Sequence, residues 1–318
     1  MTTLLDQADV RLQTTPAQRL RITTAASRVS FTWLGVRKSL TADQKNLAAM
    51  SFGAEGDVLS AGKKLLDVRH PAFRSVTTVK GRIVAYWKGS TLPYPDPGIR
   101  LIRQERIEEF DSRMNEFREE LAEVVAQLDE HYGEFKAAAA RRLGTLYDES
   151  DYPESLRNWF SVDWSYPAVE PPDYLMELHP RLYEEERSRV ASRFDEAVQL
   201  AEEAFTSEFA KLVAHLSERI GGADGQPKIF RDSVVNNLSE FFERFRTLSV
   251  RSNSELDDLI GQVQQIVQGI GPQDLRKNGE LRQQVSQQLN QVQTALDDLL
   301  VDRPRRRILR NTPARENH

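Results

Sequence analysis

The chain has 318 residues, of which 43 are Lys or Arg and 48 are Asp or Glu, and it contains no cysteine. This length can bury a sizeable core in one large domain or in two smaller ones. The lack of cysteine excludes disulfides, thiol nucleophiles, iron–sulfur clusters and cysteine-ligated zinc. We find neither a secretory signal nor an apolar stretch of roughly 20 residues, and we therefore expect a cytoplasmic protein without membrane contact.

Residues 1–98 predict a small basic head of mixed structure. Val29, Phe31 and Trp33 alternate with polar residues, which is typical of a strand with one buried face. Gly53 marks a turn between two of the short helices that follow. The predicted helices of the head cover residues 42–50, 58–66 and 71–87.

Proline is absent from residues 98–152 and from 181–226, whereas five prolines fall between 153 and 180. Because proline interrupts helices, this distribution predicts two long helices within 99–220, joined by an irregular tip at about 148–180. We therefore predict a mainly α fold. Its centre is a long antiparallel helical hairpin (a coiled coil), between a small mixed N-terminal head and a C-terminal helical bundle.

Apolar residues in the first of these blocks recur at alternating spacings of four and three, which is typical of a coiled-coil seam. The seam residues are Phe110, Met114, Phe117, Leu121, Val124, Leu128, His131 and Phe135. A similar stripe from Leu182 to Ile220 predicts the second helix. Such a hairpin is either a dedicated interaction arm or a stiff element inside a larger helical fold.

The tip is rich in aromatic residues, which act as contact anchors when they are exposed. The sequence predicts a protein-interaction site there, although the same residues could form a small cluster that caps the hairpin. The candidate anchors are Tyr152, Trp159, Phe160, Trp164 and Tyr166.

Residues 221–302 predict C-terminal helices, and residues 303–318 form a basic tail that we expect to be flexible. Asp232 is expected to begin the first of these helices, and Ser252 or Ser254 the second. Gly269 is expected to end the second helix. The last helix carries an apolar stripe between Leu281 and Leu299.

The sequence contains no phosphate-binding loop, no dinucleotide-binding glycine motif and no paired-histidine zinc motif. The acidic residues around Asp148 and Asp151 could bind a divalent cation or serve a hydrolase, but such runs are usually solvated faces. We therefore predict no enzymatic activity, no catalytic residue, no metal ligand and no cofactor.

Charge is distributed unevenly along the chain: the net charge is +8 for residues 1–100, −14 for 101–220 and +1 for 221–318. A basic head of this kind either packs against acidic helices of its own or a neighbouring chain, or binds nucleic acid. The residues predicted for nucleic-acid binding are Arg37, Lys38, Lys63, Lys64, Arg82, Lys88, Arg305, Arg306 and Arg307.

Several short segments resemble an uncharacterised bacterial and phage family of about this length. They are TLPY at 91–94, DPGIRL at 96–101, LYD at 146–148, DYP at 151–153, FRDSVVNNL at 230–238 and DLR at 274–276. Members of that family are found on mobile elements, often beside MoxR-type AAA+ ATPases and von Willebrand factor A proteins. The resemblance implies a component of a multi-protein assembly and transfers no catalytic residue.

Taken together, these features predict a non-enzymatic helical scaffold or adaptor. We expect it to form a homo-oligomer or to dock a protein partner, for which the resemblance suggests a MoxR-type AAA+ ATPase. The alternative function is a nucleic-acid-binding protein that uses its basic head.

Overall fold

The computed structural model describes residues 14–221, 233–270, 274–275 and 278–301. The chain divides into two units, which are considered separately. The sheet unit is Thr23–Val190, and the helical unit combines Met1–Ile22 with Ala191–His318. The described residues are mainly helical, as predicted, and they also contain a small antiparallel sheet.

In chain order, the helices and strands are α1 Pro16–Thr23, β1 Thr24–Trp33, β2 Arg37–Ser39, α2 Ala42–Met50, β3 Gly62–Lys64, α3 Pro71–Ser90, β4 Thr91–Pro93, β5 Arg100–Arg103, α4 Ile107–Glu130, α5 Tyr132–Leu143, β6 Phe160–Ser165, α6 Tyr174–Leu178, α7 Pro180–Gly221, α8 Ser233–Leu248, α9 Ser254–Val267 and α10 Gly279–Val301. None of the described helices is both long and apolar enough to cross a bilayer.

The main sheet has the strand order β4-β5-β1-β6, and its neighbouring strands are antiparallel. Along β1, the side chains of Val29, Phe31 and Trp33 pack against the core, whereas Arg28 and Thr32 on the other face are exposed. This alternation confirms the predicted strand, because successive side chains of a strand point to opposite faces.

The core of the sheet unit lies between this sheet, α3 and α4. On α4, Phe110 is buried and its ring stacks on Tyr86 of α3 at a centroid distance of 5.6 Å. The predicted seam of α4 is therefore covered by α3 and the sheet within one unit. The long hairpin with the second helix block, and its coiled-coil packing, are not confirmed.

Three local predictions in the sheet unit were wrong. Residues 58–66 do not form a helix, since β3 lies there. Residues 100–103 form β5 rather than the start of a long helix. The helix that follows is interrupted at His131, which lies between α4 and α5. The side chain of His131 is 46% exposed instead of buried in a seam.

The predicted tip is also more regular than expected, because its residues 160–165 form β6. This strand pairs with β1 along its whole length, with Trp33 opposite Phe160 and Arg28 opposite Ser165. The tip is therefore part of the sheet unit rather than the end of a projecting hairpin.

The helical unit is built around aromatic contacts between α7 and α8. Phe209 stacks on Phe241 at 5.2 Å, and Phe205 meets Phe245 edge to face at 5.0 Å. Asn253 caps α9, where Ser252 or Ser254 was predicted, because its side chain accepts a hydrogen bond from the Leu256 N–H. Asp232 and the basic tail 303–318 lie outside the described residues.

Candidate docking site on a helical arm

Residues 37–64 form a distinct substructure that we call the arm. Strands β2 and β3 pair antiparallel as its ribbon, with Arg37 opposite Lys64 and Lys38 opposite Lys63. Helix α2 and a short loop connect the two strands. The arm is therefore a helical insertion carried on a two-stranded ribbon.

Helix α2 is stabilised by both of its ends rather than by a buried face. Thr41 and Gln44 form a capping box at the N-terminus. At the C-terminus Gly53 has φ +65°, and the N–H of Ala54 donates to the carbonyl of Ala49 at 3.1 Å, as in a Schellman motif. These local signals fix a nine-residue helix, of which only Ala49 is buried.

The end of the arm is closed by a tight backbone contact. A Cβ added at Gly56 would lie 1.8 Å from Asn46 Oδ1 and 2.8 Å from Asn46 Cα. Since the second of these atoms belongs to the backbone of α2, only glycine fits at this position without a shift of the helix. The loop after α2 is thus held directly against the helix.

Four large apolar side chains are exposed on the arm, and we call them the apolar end. They are Leu47 (73% exposed), Met50 (74%), Phe52 (81%) and Val58 (76%). Exposed apolar side chains of this size in one short segment make the arm a candidate interaction site.

The base of the arm is fixed by a buried carboxylate. Asp151 has no exposed side-chain surface, and it forms salt bridges with Lys38 and, at 2.5 Å, with Lys63. Lys63 also donates to the carbonyl of Leu146 at 2.7 Å. Burial acts to raise the pKa of Asp151, but the hydrogen bonds and charges of the two lysines outweigh it and hold that pKa below its usual range.

The carboxylates considered for cation binding or hydrolysis therefore have structural roles. Asp151 holds the ribbon, as described above. Asp148 accepts hydrogen bonds from the Ser150 N–H at 3.0 Å and from its hydroxyl at 2.7 Å. These bonds lower the pKa of Asp148 and fix a short turn.

The five aromatic residues predicted as anchors divide into core and surface. Tyr152 and Phe160 are buried, at 7% and 3% exposure, so their role as partner contacts is corrected to core packing. Trp164 is half-buried, whereas Trp159 and Tyr166 are 44% and 36% exposed. Phe160 and Trp164 lie on the same, core-facing side of β6, whereas Trp159 and Tyr166 lie just outside the two ends of the strand.

A second exposed apolar group lies on residues 166–186, which we call the acidic segment. This segment contains six acidic residues and a single arginine. Besides Tyr166, its exposed apolar side chains are Tyr174 (60%), Met176 (53%), Leu178 (69%) and Leu182 (42%). None of these four side chains is among the anchors predicted from the sequence.

The structure distributes the predicted nucleic-acid-binding residues over several places. Lys38 and Lys63 are engaged at the base of the arm. Arg82 forms a salt bridge with Glu120, and Lys88 is exposed near the end of α3. Arg37 and Lys64, which lie opposite each other on the ribbon, are exposed. The remaining residues lie outside the described part of the chain: Arg305, Arg306 and Arg307.

Among the described residues, one group of side chains could hold a metal ion. It consists of His70, His131 and Glu134, and it was missed because these histidines are far apart in sequence. The apolar end was missed for a different reason: a sequence pattern predicts α2 but does not indicate which of its apolar residues the fold leaves uncovered.

Comparisons with protein family models, with curated proteins and with solved structures found no match to this chain. The resemblance to the phage and mobile-element family stays a prediction that depends on the motifs quoted above.

Proposed function

We propose that this protein is a non-enzymatic adaptor that self-associates, with the apolar end of the arm of one copy bound to the acidic segment of a second copy. The observation that carries the proposal is the apolar end itself. Its four large side chains are between 73% and 81% exposed, and two of them, Leu47 and Met50, lie on a helix that is capped at both ends.

Burial of these side chains supplies the main driving force. Covering one such side chain stabilises a complex by about 1.5–3 kcal/mol, so that four supply roughly 6–12 kcal/mol. Lost translational and rotational freedom costs about 4–15 kcal/mol, so only part of this gain appears as affinity. We therefore expect association that depends on protein concentration rather than a permanent complex.

The acidic segment fits the arm in both polarity and charge. It exposes its own apolar side chains, including Leu178 at 69%, among six acidic residues. On the ribbon, Arg37 and Lys64 lie directly opposite each other and are exposed, and neither forms a salt bridge within the described residues. Like charges in this arrangement repel, and an acidic partner surface relieves the repulsion.

A second occupant of the same site is the MoxR-type AAA+ ATPase that the family resemblance implies. An apolar docking element on a stiff arm is also suited to such a partner. In that case the arm would engage the ATPase, and the purified chain alone would stay monomeric.

Analytical ultracentrifugation from low to high micromolar concentration tests self-association. We expect the wild-type protein to form oligomers and the double variant L47S/F52S to stay monomeric. The single variant Leu178→Ser, on the acidic segment, is expected to weaken association as well. Val68→Ser is the matched control, since Val68 is 44% exposed in the same unit but outside both surfaces.

A wild-type monomer at every concentration would contradict self-association. Loss of association in L47S/F52S but not in Leu178→Ser would show that the second copy binds the arm with another surface. Loss in Val68→Ser to the same extent would remove the arm as the specific site.

Nucleic-acid binding is the alternative function, and the exposed pair Arg37 and Lys64 is the observation that favours it. A salt titration of DNA and RNA binding tests it, because each phosphate contact makes the affinity fall more steeply as the salt concentration rises. The variant R37S/K64S should then bind more weakly than the wild type, with a smaller salt dependence.

A further inference from the structure

Three ligating side chains meet where α3 begins and where α4 passes into α5. His70 immediately precedes α3, His131 is the residue between α4 and α5, and Glu134 lies in the first turn of α5. One ligand atom from each of the three lies within 4.8 Å of the others. The sequence separation of the two histidines hides this arrangement from any motif search.

Both imidazoles are placed by ordered structure rather than by mobile loops. The ring of His70 packs edge to face on Phe135 at 4.7 Å, and Phe135 is buried. The rings of His70 and His131 are 5.3 Å apart. The break between α4 and α5 turns His131 out of the core, where the preceding heptad pattern would have buried it.

We propose that His70, His131 and Glu134 bind a divalent transition-metal ion of the zinc type. Two imidazoles and one carboxylate form a ligand set that zinc uses in proteins, and a water completes the fourth position. The side chain of Glu134 is 76% exposed and its Oε1 lies 3.7 Å from His131 Nδ1, so it can close on an ion without disturbing the core.

Binding at His70 has a definite consequence for the helix that it caps. Its Nδ1 accepts a hydrogen bond from the Ala72 N–H at 3.2 Å, so in the neutral ring the proton is on Nε2. A metal ion bound at Nε2 requires the proton on Nδ1, and a metal bound at Nδ1 occupies the lone pair itself. In either case the ion replaces the capping bond, and the amide of Ala72 loses its acceptor.

The group offers three protein ligands, and two carboxylates that precede its histidines in sequence have other partners. Asp67 is paired with Arg69 and Arg142. Asp129 accepts a hydrogen bond from the Leu156 N–H at 2.7 Å. The site would therefore hold its ion with one position open to solvent.

The experiment adds Zn²⁺, Co²⁺ or Mg²⁺ to the untagged full chain. Metal binding is measured by isothermal titration calorimetry, by thermal unfolding and, for Co²⁺, by visible absorption. We expect one Zn²⁺ per chain, a raised Tm, the absorption bands of tetrahedral Co²⁺ and no effect of Mg²⁺. Hydrogen exchange at the Ala72 amide should become faster when Zn²⁺ is bound.

The variant His70→Asn separates ligation from capping, because asparagine remains a good N-cap but cannot replace the imidazole. It should keep the wild-type Tm without metal and lose Zn²⁺ affinity by more than roughly 10-fold, as should His131→Ala and Glu134→Gln. His215→Ala is the control, since His215 is exposed and lies outside the group, the arm and the acidic segment.

Equal Zn²⁺ affinity in His70→Asn and in the wild-type protein would overturn the proposal. An equal loss of affinity in His215→Ala would do so as well, because the binding would then be nonspecific. Neither result depends on self-association, so the metal site and the proposed function are tested separately.

Discussion

Asp151 and Lys63 form a buried ion pair, with the carboxylate 2.5 Å from the ammonium nitrogen and side-chain exposures of 0% and 5%. The pair joins β3 to the turn that precedes β6, residues that are far apart in sequence. Lys38, which is 55% exposed, binds the other carboxylate oxygen. One acid thus pairs with two lysines that face each other across the ribbon.

Asp151→Asn should destabilise the sheet unit, because it leaves Lys63 buried beside a second lysine. Removing one partner of a fully buried pair costs about 3–5 kcal/mol, and solvent access at Lys38 reduces our expectation to roughly 1–3 kcal/mol. Urea denaturation followed by circular dichroism measures the change. The double variant K63L/D151L should recover much of the loss, and no recovery would argue against the pair as the cause.

The same pair predicts a dependence of stability on pH. The pKa of Asp151 is lower in the folded than in the unfolded protein, so the unfolded chain binds more protons in acid. The stabilisation is complete above the ordinary aspartate pKa of about 3.9 and is lost as the pH falls through the lower folded pKa. As the pH falls below about 4, the Tm of the wild-type protein should fall more steeply than that of Asp151→Asn.

Gly56→Ala should displace the loop at the end of the arm, since the added methyl group meets the backbone of Asn46 at 2.8 Å. We expect self-association to weaken while the core of the sheet unit stays folded. Gly81→Ala is the matched control, because a Cβ at Gly81 in α3 meets nothing within 4 Å. That control should raise stability by about 0.5–1 kcal/mol and leave association unchanged.

Asp111→Ala should loosen the end of β6, because Asp111 accepts hydrogen bonds from Trp164 Nε1 at 2.5 Å and from the Tyr166 hydroxyl at 2.6 Å. We expect a loss of about 1–2 kcal/mol and a shift of the Trp164 fluorescence to longer wavelength. Glu108→Ala is a control on the exposed side of the same helix. Unchanged fluorescence in Asp111→Ala would contradict this anchoring.

The parts of the fold that local chemistry specifies could be predicted from sequence. The helix from Pro71 ends close to Gly89 as expected, and the alternation through Phe31 gives a strand. In each case the signal and the structure involve neighbouring residues. The turn at Gly53 belongs to the same group, because a positive φ favours glycine wherever the rest of the chain lies.

The long-range arrangement could not be predicted, because an apolar stripe indicates that a face is covered but not which element covers it. Phe117 fits a coiled-coil seam equally well whether α3 or another helix lies over it. The aromatic tip shows the same limit, since Phe160 enters the core where β6 pairs with β1, opposite Trp33. The metal-binding group depends on the turn at His131, which no propensity reveals.

The central position of β1 has a consequence for how the protein is made. This strand is synthesised early, yet its partner on one side is β6. The hydroxyl of Ser30 donates a hydrogen bond to the carbonyl of Asp163, which lies 133 residues later in the chain. At about 5–20 residues per second, translation needs roughly 7–27 s to cover that interval. During that time the edge of β1, with Phe31 and Trp33 beside it, has no strand to pair with. We therefore expect the nascent chain to depend on chaperones for longer than its mature fold would suggest.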